Sequence, residues 1–482
     1  MAEQSLKDKT IKGVAWNGIE NFSDIGIRFV FGIILARILG PSDYGIIGIL
    51  TVFLAVSDTI MQSGFGVALI RKVDRTETDN ATVFYFNVVV GILMYGILFL
   101  CAPLIAGYFK MDILQPVLRV LALSLIINSF SVVQLALLNA RLDFKTSAKI
   151  TLISGVISSV VGVAFAYFGY GVWSLVYQTL SLSLVKTVLM WIWAKWRPRS
   201  KFSWESFREL FSFGSKLLLA GLIDTLYNNI YNLVIGKLFT PATLGYYTRA
   251  HNYAMLPSST LNGVVQRVSL PVLSTIQEDK ERLAVDYRKI LKMTAFITFP
   301  CMMLLFGVSD PLIRWMLTDK WEGCIVLLQI LCFSLIWIPI HSMNLNLLKV
   351  MGRSDLFLRL EIIKKGIGIL VLIITYRWGV EAMCYGGVFS SLIGLVINSY
   401  YNGVIIKVGF LEQMKDVLPI FLLSLLAGVL AYYVVKIPSD FELVKLILGT
   451  LAFGIIYLGG SYIAKVGELI EFVNIVKGIR KR

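Results

Sequence analysis

The stretch Asp24-Ile-Gly-Ile-Arg-Phe-Val-Phe-Gly-Ile-Ile-Leu-Ala-Arg37-Ile-Leu-Gly-Pro41-Ser-Asp-Tyr-Gly45 returns, degraded but in register, between Asp224 and Gly245. Asp224, Lys237, Pro241 and Gly245 each stand 200 residues after Asp24, Arg37, Pro41 and Gly45. Each copy closes an apolar run with a basic residue, a short gap, a Pro and a Gly. That is the signature of a helix leaving a bilayer into a tight turn. Two copies of one membrane unit predict a transporter whose halves face each other across a central path.

Composition sets the class. Hydrophobic residues make up 57% of the 482-residue chain and charged residues 16%, with a mean hydropathy of +0.76. A soluble domain with a water-wetted surface does not have this balance. The apolar runs match the ~20 residues of helix that a bilayer core about 30 Å thick requires. About fourteen are read, centred near Arg28, Leu54, Leu93, Leu125, Ser158, Leu184, Leu226, Leu256, Phe299, Phe333, Leu370, Leu392, Ser424 and Leu451. The first, seventh and eighth are the most diluted by polar residues. The expected fold class is an all-α polytopic membrane protein.

Lys and Arg orient the chain. With a cytoplasmic N-terminus, the inside loops hold 31 of them, for instance Arg71, Lys72 and Arg75, or Lys195 to Arg208; the outside loops hold 8. This positive-inside bias puts both termini in the cytoplasm. The net charge of +15 is then a topological signal, with no nucleic-acid role. The first twelve residues are polar and no small-residue cleavage site follows, so the first span is expected to be retained. Lys465 to Arg482 aligns Val466, Leu469, Ile470, Val473, Val476 and Ile479 on one helical face and ends Arg-Lys-Arg. It reads as an amphipathic cytoplasmic tail lying on anionic lipid, or as plain tail.

Several chemistries find no support. Cys101, Cys301, Cys324, Cys332 and Cys384 lie in or beside apolar runs without a Cys-x-x-Cys pair, and His251 and His341 match no metal or nucleophile motif;. No phosphate-binding glycine loop and no loop long enough for a catalytic domain occur. The expectation is a non-enzyme without cofactor or metal, driven by an ion gradient, the membrane potential or the substrate gradient.

Charge inside the membrane is what remains. Glu20, Asp24 and Arg28 stand at i, i+4 and i+8, on one face of the first span;. A charge at mid-bilayer costs about 2.5–3.5 kcal/mol on insertion scales, while each Leu or Ile returns about 0.3–0.6. Three charges therefore cannot face lipid. Either they line a cavity, or Asp24 and Arg28 form an intrahelical pair that lets the span insert and leaves Glu20 over. Asp58, Arg119, Lys186, Lys216, Asp224, Arg249 and Arg267 add to the set, and the cations exceed the acids. A lumen with surplus positive charge suits an anionic passenger, since guanidinium binds phosphate oxygens in a fork. Arg28, Arg249 and Arg267 are the candidates for that clamp. Arg119, Lys186 and Lys216 either join the lumen or snorkel to an interface. Glu20, Asp24 and Asp224 are candidates for binding a coupling proton or Na+, or for structural pairing. Tyr227, Tyr231, Tyr246, Tyr247 and Tyr253 offer faces for sugar rings, or pack.

The runs Leu39-Gly-Pro-Ser-Asp-Tyr-Gly45, Gln62-Ser-Gly-Phe-Gly-Val-Ala-Leu-Ile-Arg71 and Thr82-Val-Phe-Tyr-Phe-Asn87, with Thr240-Pro-Ala-Thr-Leu-Gly-Tyr-Tyr-Thr-Arg-Ala250 in the second copy, resemble the polysaccharide exporters. That group includes the O-antigen, colanic-acid and teichuronic-acid flippases of the multidrug/oligosaccharidyl-lipid/polysaccharide superfamily. The resemblance implies twelve helices in two six-helix lobes plus two C-terminal helices. On this chain the lobes fall at residues 1–200 and 201–407, the added spans at 408–464 and the tail at 465–482. It also implies a bacterial inner-membrane protein that moves oligosaccharide on undecaprenyl diphosphate to the outer leaflet, working with the pathway's polymerase and glycosyltransferases. Alternating access of one lobe against the other is the expected mechanism. Two rivals are a cation-coupled multidrug antiporter, whose passengers favour an acidic lumen, and a membrane polymerase or glycosyltransferase, which calls for a sizeable outer loop or an interfacial carboxylate cluster.

Overall fold

The computed structural model describes residues 2–62 and 64–471, with backbone alone for residues 2–15 and 17. Among these residues every regular element is helical, the solution a bilayer imposes when backbone groups find no water. Packing gathers the chain into two compact units, residues 1–245 and 246–482.

The first unit holds α1 (Ala2–Ile38), α2 (Pro41–Gln62), α3 (Phe65–Arg71), α4 (Glu77–Phe109), α5 (Leu114–Leu121), α6 (Leu123–Ser129), α7 (Val132–Ala140), α8 (Phe144–Tyr167), α9 (Val172–Trp193) and α10 (Trp204–Leu238). It also takes the first turn of α11 (Pro241–Thr275). Pro41 and Pro241 open their helices, where a missing N–H costs nothing. Both copies of the repeated turn carry a side-chain cap. The Asp43 carboxylate accepts from the Gly40 N–H at 2.9 Å, and the Thr240 hydroxyl accepts from the Thr243 N–H at 3.3 Å. The basic residue of the second copy, Lys237, donates to the Tyr108 carbonyl and lies over that ring.

Within this unit α8 packs between α1 and α9, and α10 runs along α2. Small residues let the latter pair close up. Gly236 faces Ile49, Gly221 faces Thr59, and the Thr59 and Thr225 hydroxyls meet at 3.0 Å. At the far end Gly64, with φ of +69°, lies so close to Gly214 that a Cβ would stand 2.8 Å from the Gly214 carbonyl oxygen. Only glycine combines that backbone with that approach. Beside it, Lys72 bridges Glu209 at 2.8 Å and Asp79 at 3.1 Å, over a cluster of buried Phe65, Phe84 and Trp196.

The second unit continues with α12 (Lys280–Gly307), α13 (Ser309–Leu317), α14 (Gly323–Leu335), α15 (Ile338–Val350), α16 (Ser354–Thr375), α17 (Val380–Ile406), α18 (Phe410–Val434) and α19 (Glu442–Ile463). Here α12 lies along α18, α18 along α19, and α17 against α14 and α16. Arg288 of α12 grips Asp416 of α18 through Nε at 2.6 Å and a second nitrogen at 2.7 Å, the two-pronged geometry that makes such pairs strong.

Among the described residues ten helical stretches are long and apolar enough to cross a membrane, and α5–α6 with α7, bent by 44°, forms an eleventh. The three other expected spans coincide with α1, α11 and α16. These are helical over 37, 35 and 22 residues, long enough to cross but diluted by polar or charged residues, as with Glu20, Asp24 and Arg28 in α1 and the Ser, Thr, Asn and Gln of α11. Of the expected amphipathic tail, residues 467–471 are helical, with Glu468 4.0 Å from Lys292 and Glu471 3.1 Å from Lys289. Residues 472–482 lie outside the described set.

Candidate functional site

On α1, the 3.6-residue period stacks Glu20, Asp24 and Arg28 on one face. Arg28 Nε donates to the Asp24 carboxylate at 3.0 Å, and the Arg28 side chain remains 70% exposed. Glu20 does not join that pair. It accepts from Ser147 Oγ at 2.8 Å and Thr151 Oγ1 at 3.0 Å, both on α8, which stand four residues apart and so share a face. Lys186 of α9 lies within electrostatic reach of Arg28, Glu20 and Asp24. The structure thus assembles two acids and two bases where α1, α8 and α9 meet. Their charges sum to zero, so the positive surplus read from the sequence has to come from other residues.

Lys186 also borders a cavity of about 350 Å³ within the first unit, shared with Asp58, Gln62, Asn128 and Asn139. Arg119 is not part of this group. Its Nε donates to the Phe99 carbonyl at 3.3 Å and its guanidinium covers the Phe99 ring at 4.2 Å, the packing expected of an interfacial cation. Lys216 and Asp224 lie on exposed faces of α10.

The second unit holds Arg249 and Arg267, both on α11. Arg249 is half-buried, 5.9 Å from the ring centre of the buried Trp321; Arg267 is exposed. Eighteen residues separate them, which at ~1.5 Å rise per residue is about 27 Å along the helix. One diphosphate cannot bridge that span, so the two arginines sit at successive levels rather than in one grip. Tyr246 donates to the Lys320 carbonyl at 3.2 Å and meets Trp321 edge-on, and Tyr247 is buried against His251. These two tyrosines are packing residues.

One feature escaped sequence reasoning altogether. In the second unit Asn344 Oδ1 accepts from the Tyr287 hydroxyl at 2.8 Å, Asn402 Nδ2 at 2.6 Å and Gln413 Nε2 at 2.8 Å, all fully buried. Polar side chains inside apolar runs were the available signal. Nearby in the chain, His341 is held between Ser391 and Asn398 at 3.2 Å each.

Comparison with known proteins bears on this arrangement. A family profile described as polysaccharide biosynthesis protein matches residues 34–326. The lipopolysaccharide biosynthesis protein WzxC of Escherichia coli K12 is 26% identical over 396 residues, covering 82% of this chain and 78% of its own length. The teichuronic acid biosynthesis protein TuaB of Bacillus subtilis 168 is 24% identical over 450 residues, covering 91% and 92%. Among solved structures, the lipid II flippase MurJ in an inward closed conformation matches with a TM-score of 0.74 at 15% identity, over 93% of this chain and 99% of that one. A multidrug resistance MATE family transporter of the MOP superfamily, inward-facing, matches at 0.60 and 16% identity, over 84% and 95%. With a profile covering more than half its length and relatives aligned over most of theirs, this multi-pass membrane chain belongs to the polysaccharide biosynthesis protein family.

Proposed function

We propose that the protein is a flippase that carries an oligosaccharide linked to undecaprenyl diphosphate from the cytoplasmic to the outer leaflet of a bacterial inner membrane, with both of its own termini in the cytoplasm. The observation that carries this reading is the charged wall of α1, α8 and α9, in which the Arg28 side chain stays 70% exposed within electrostatic reach of Lys186, which itself borders a cavity of mixed polar and apolar lining. Such charges persist in a membrane protein where they serve a pathway. The polysaccharide biosynthesis roles named for the relatives, and the lipid II flippase among the structures of like fold, agree with it.

In this mechanism the lobes 1–200 and 201–407 rock in alternating access. Arg28 takes the diphosphate, and Arg249 and Arg267 meet it at different stages, since about 27 Å of helix parts them. The lipid tail stays in the bilayer while the sugars cross. Glu20, Asp24 and Asp224 are the carboxylates available to a coupling proton or Na+. The polymerase and glycosyltransferases of the same pathway are the expected partners.

The test is a deletion strain assayed for lipid-linked oligosaccharide by leaflet. Oligosaccharide trapped on the cytoplasmic side, restored to the surface by the wild-type gene, is the expected result. Normal surface polysaccharide together with hypersensitivity to cationic dyes would instead support a multidrug antiporter, the reading that the MATE-like fold keeps open.

A further inference from the structure

The 350 Å³ cavity of the first unit is walled by helices broken at its edge. The chain breaks between α2 and α3, where Gly64 takes a left-handed conformation, and again between α6 and α7 at residues 130–131. The second break frees backbone carbonyls that α9 satisfies. Thr187 Oγ1 donates to Ile127 O at 3.1 Å and Trp191 Nε1 donates to Phe130 O at 2.9 Å. The break is therefore braced, and the cavity beside it is built into the fold.

Its lining has two characters. Val132, Leu135, Ala136 and Asn139 come from one face of α7 at i, i+3, i+4 and i+7;. With Met61 and Ile70 they make an apolar floor that ends in a single amide. Around it stand Asp58 and Gln62, one turn apart on α2, Asn128 at the end of α6, and Lys186 of α9. Asp58 and Lys186 face the same cavity, yet among the described residues neither makes a hydrogen bond or ion pair. Lys186 has Glu20 and Asp24 within electrostatic reach, but a carboxylate without a contact partner at membrane depth marks a site that a ligand completes.

We infer that this cavity is a subsite for one pyranose ring of the transported oligosaccharide. The inference rests on the flippase reading and extends it to the sugar. A sugar hydroxyl both donates and accepts, and the lining matches it: a carboxylate that only accepts, an ammonium that only donates, and three amides that do both. The C–H face of a pyranose suits the floor of Met61, Ile70 and Leu135. A diphosphate fits poorly, because Asp58 would repel it. A cationic drug fits poorly as well, because Lys186 offsets Asp58. The volume lies at the low end of the roughly 300–1,000 Å³ of small-ligand pockets, room for one sugar unit.

The test uses the full-length protein in detergent and two probes, undecaprenyl diphosphate carrying one hexose and bare undecaprenyl diphosphate, with binding read by native mass spectrometry. The wild type is expected to favour the hexose-bearing lipid. Asp58→Asn and Asn139→Ala should each weaken the hexose-bearing complex by about tenfold, the scale of a lost hydrogen bond to a buried group, and leave the bare lipid unchanged. Arg28→Ala should weaken both probes alike. If Asp58→Asn does not fold, Gln62→Ala and Asn139→Ala carry the same comparison. Unchanged preference for the hexose in those variants overturns the subsite and leaves the flippase reading standing. Failure of the wild type to bind either lipid overturns that reading, and the subsite with it.

Discussion

The carbonyl oxygen of Pro241 lies 1.8 Å from where a Cβ on Gly45 would stand, and the carbonyl oxygen of Pro41 lies 1.9 Å from the corresponding point on Gly245. The proline of each repeat copy thus presses against the glycine of the other. The sequence repeat is a reciprocal contact in space, and a contact of this kind needs the same residues twice. Gly45→Ala and Gly245→Ala each force backbone against backbone, so each is expected to lower stability by about 1–3 kcal/mol or more. Because both changes open one contact, the double variant should lose less than the sum. Thermal unfolding of the purified single and double variants measures this; full additivity would show the two contacts to be independent.

The pair formed by Asp24 and Arg28 sets the second expectation. Asp24→Asn leaves the Arg28 cation without its 3.0 Å partner and gives the cluster of Glu20, Arg28 and Lys186 a net positive charge, which is costly at membrane depth. Folded yield is expected to fall, and Asp24→Asn/Arg28→Gln to restore it. The alternative outcome is as definite. Normal yield of Asp24→Asn, with transport in proteoliposomes no longer dependent on an ion gradient, makes Asp24 the coupling carboxylate instead.

How much of this was legible in the chain depends on how local the chemistry is. The repeated exit turn and the stack of Glu20, Asp24 and Arg28 are written in short-range spacing, which helical periodicity decodes. The partners of Glu20 are not. Ser147 and Thr151 lie 127 and 131 residues away, and nothing in an apolar run states which helix packs beside it. Arg119 shows the same limit from the other side, since its carbonyl and ring partner on Phe99 remove it from the lumen charges. Asp58 and Lys186 were readable as membrane charges, but their shared cavity depends on two helix breaks that spacing does not announce.

The buried knot around Asn344 ties α12, α15, α17 and α18 of the second unit together. Its Oδ1 is the common acceptor of Tyr287, Asn402 and Gln413. Asn344→Ala leaves the buried Tyr287 hydroxyl without an acceptor and takes one bond each from Asn402 and Gln413, which keep the Tyr287 oxygen at 3.2 Å and the Val408 carbonyl at 3.1 Å; at about 1–3 kcal/mol for an unsatisfied group and ~0.5–1.5 kcal/mol for each lost bond, the loss should be about 2 kcal/mol or more. Tyr287→Phe removes one donor and leaves the others paired, so about 1 kcal/mol is expected. Denaturation midpoints of the two variants check the order; equal losses would mean that the bonds from Asn402 and Gln413 to Asn344 add nothing beyond their other acceptors.

Topology rests on the bias of Lys and Arg, and single cysteines test it. Ser42→Cys and Asp440→Cys are exposed positions expected to react with an impermeant maleimide from outside. Asp74→Cys, Lys201→Cys and Glu278→Cys, exposed as well, should react only after the membrane is opened. Labelling of Lys201→Cys in intact cells would reverse the assignment.

The separation of Arg249 and Arg267 makes the last prediction. If both arginines held one diphosphate at the same instant, removing the second after the first would cost little, because the shared interaction would already be gone. About 27 Å of helix forbids that, and successive use makes each residue limit a different stage. Export by Arg249→Ala and by Arg267→Ala should therefore each fall, and the double variant should fall by close to the product of the two factors. Lys at either position should restore part of the loss, since it keeps the charge without the planar fork. Surface polysaccharide in strains carrying the single and double variants at matched abundance supplies the numbers. A double variant no worse than the weaker single would falsify the sequential arrangement, and would require α11 to bend at Pro257 far enough to bring the two guanidinium groups onto one phosphate.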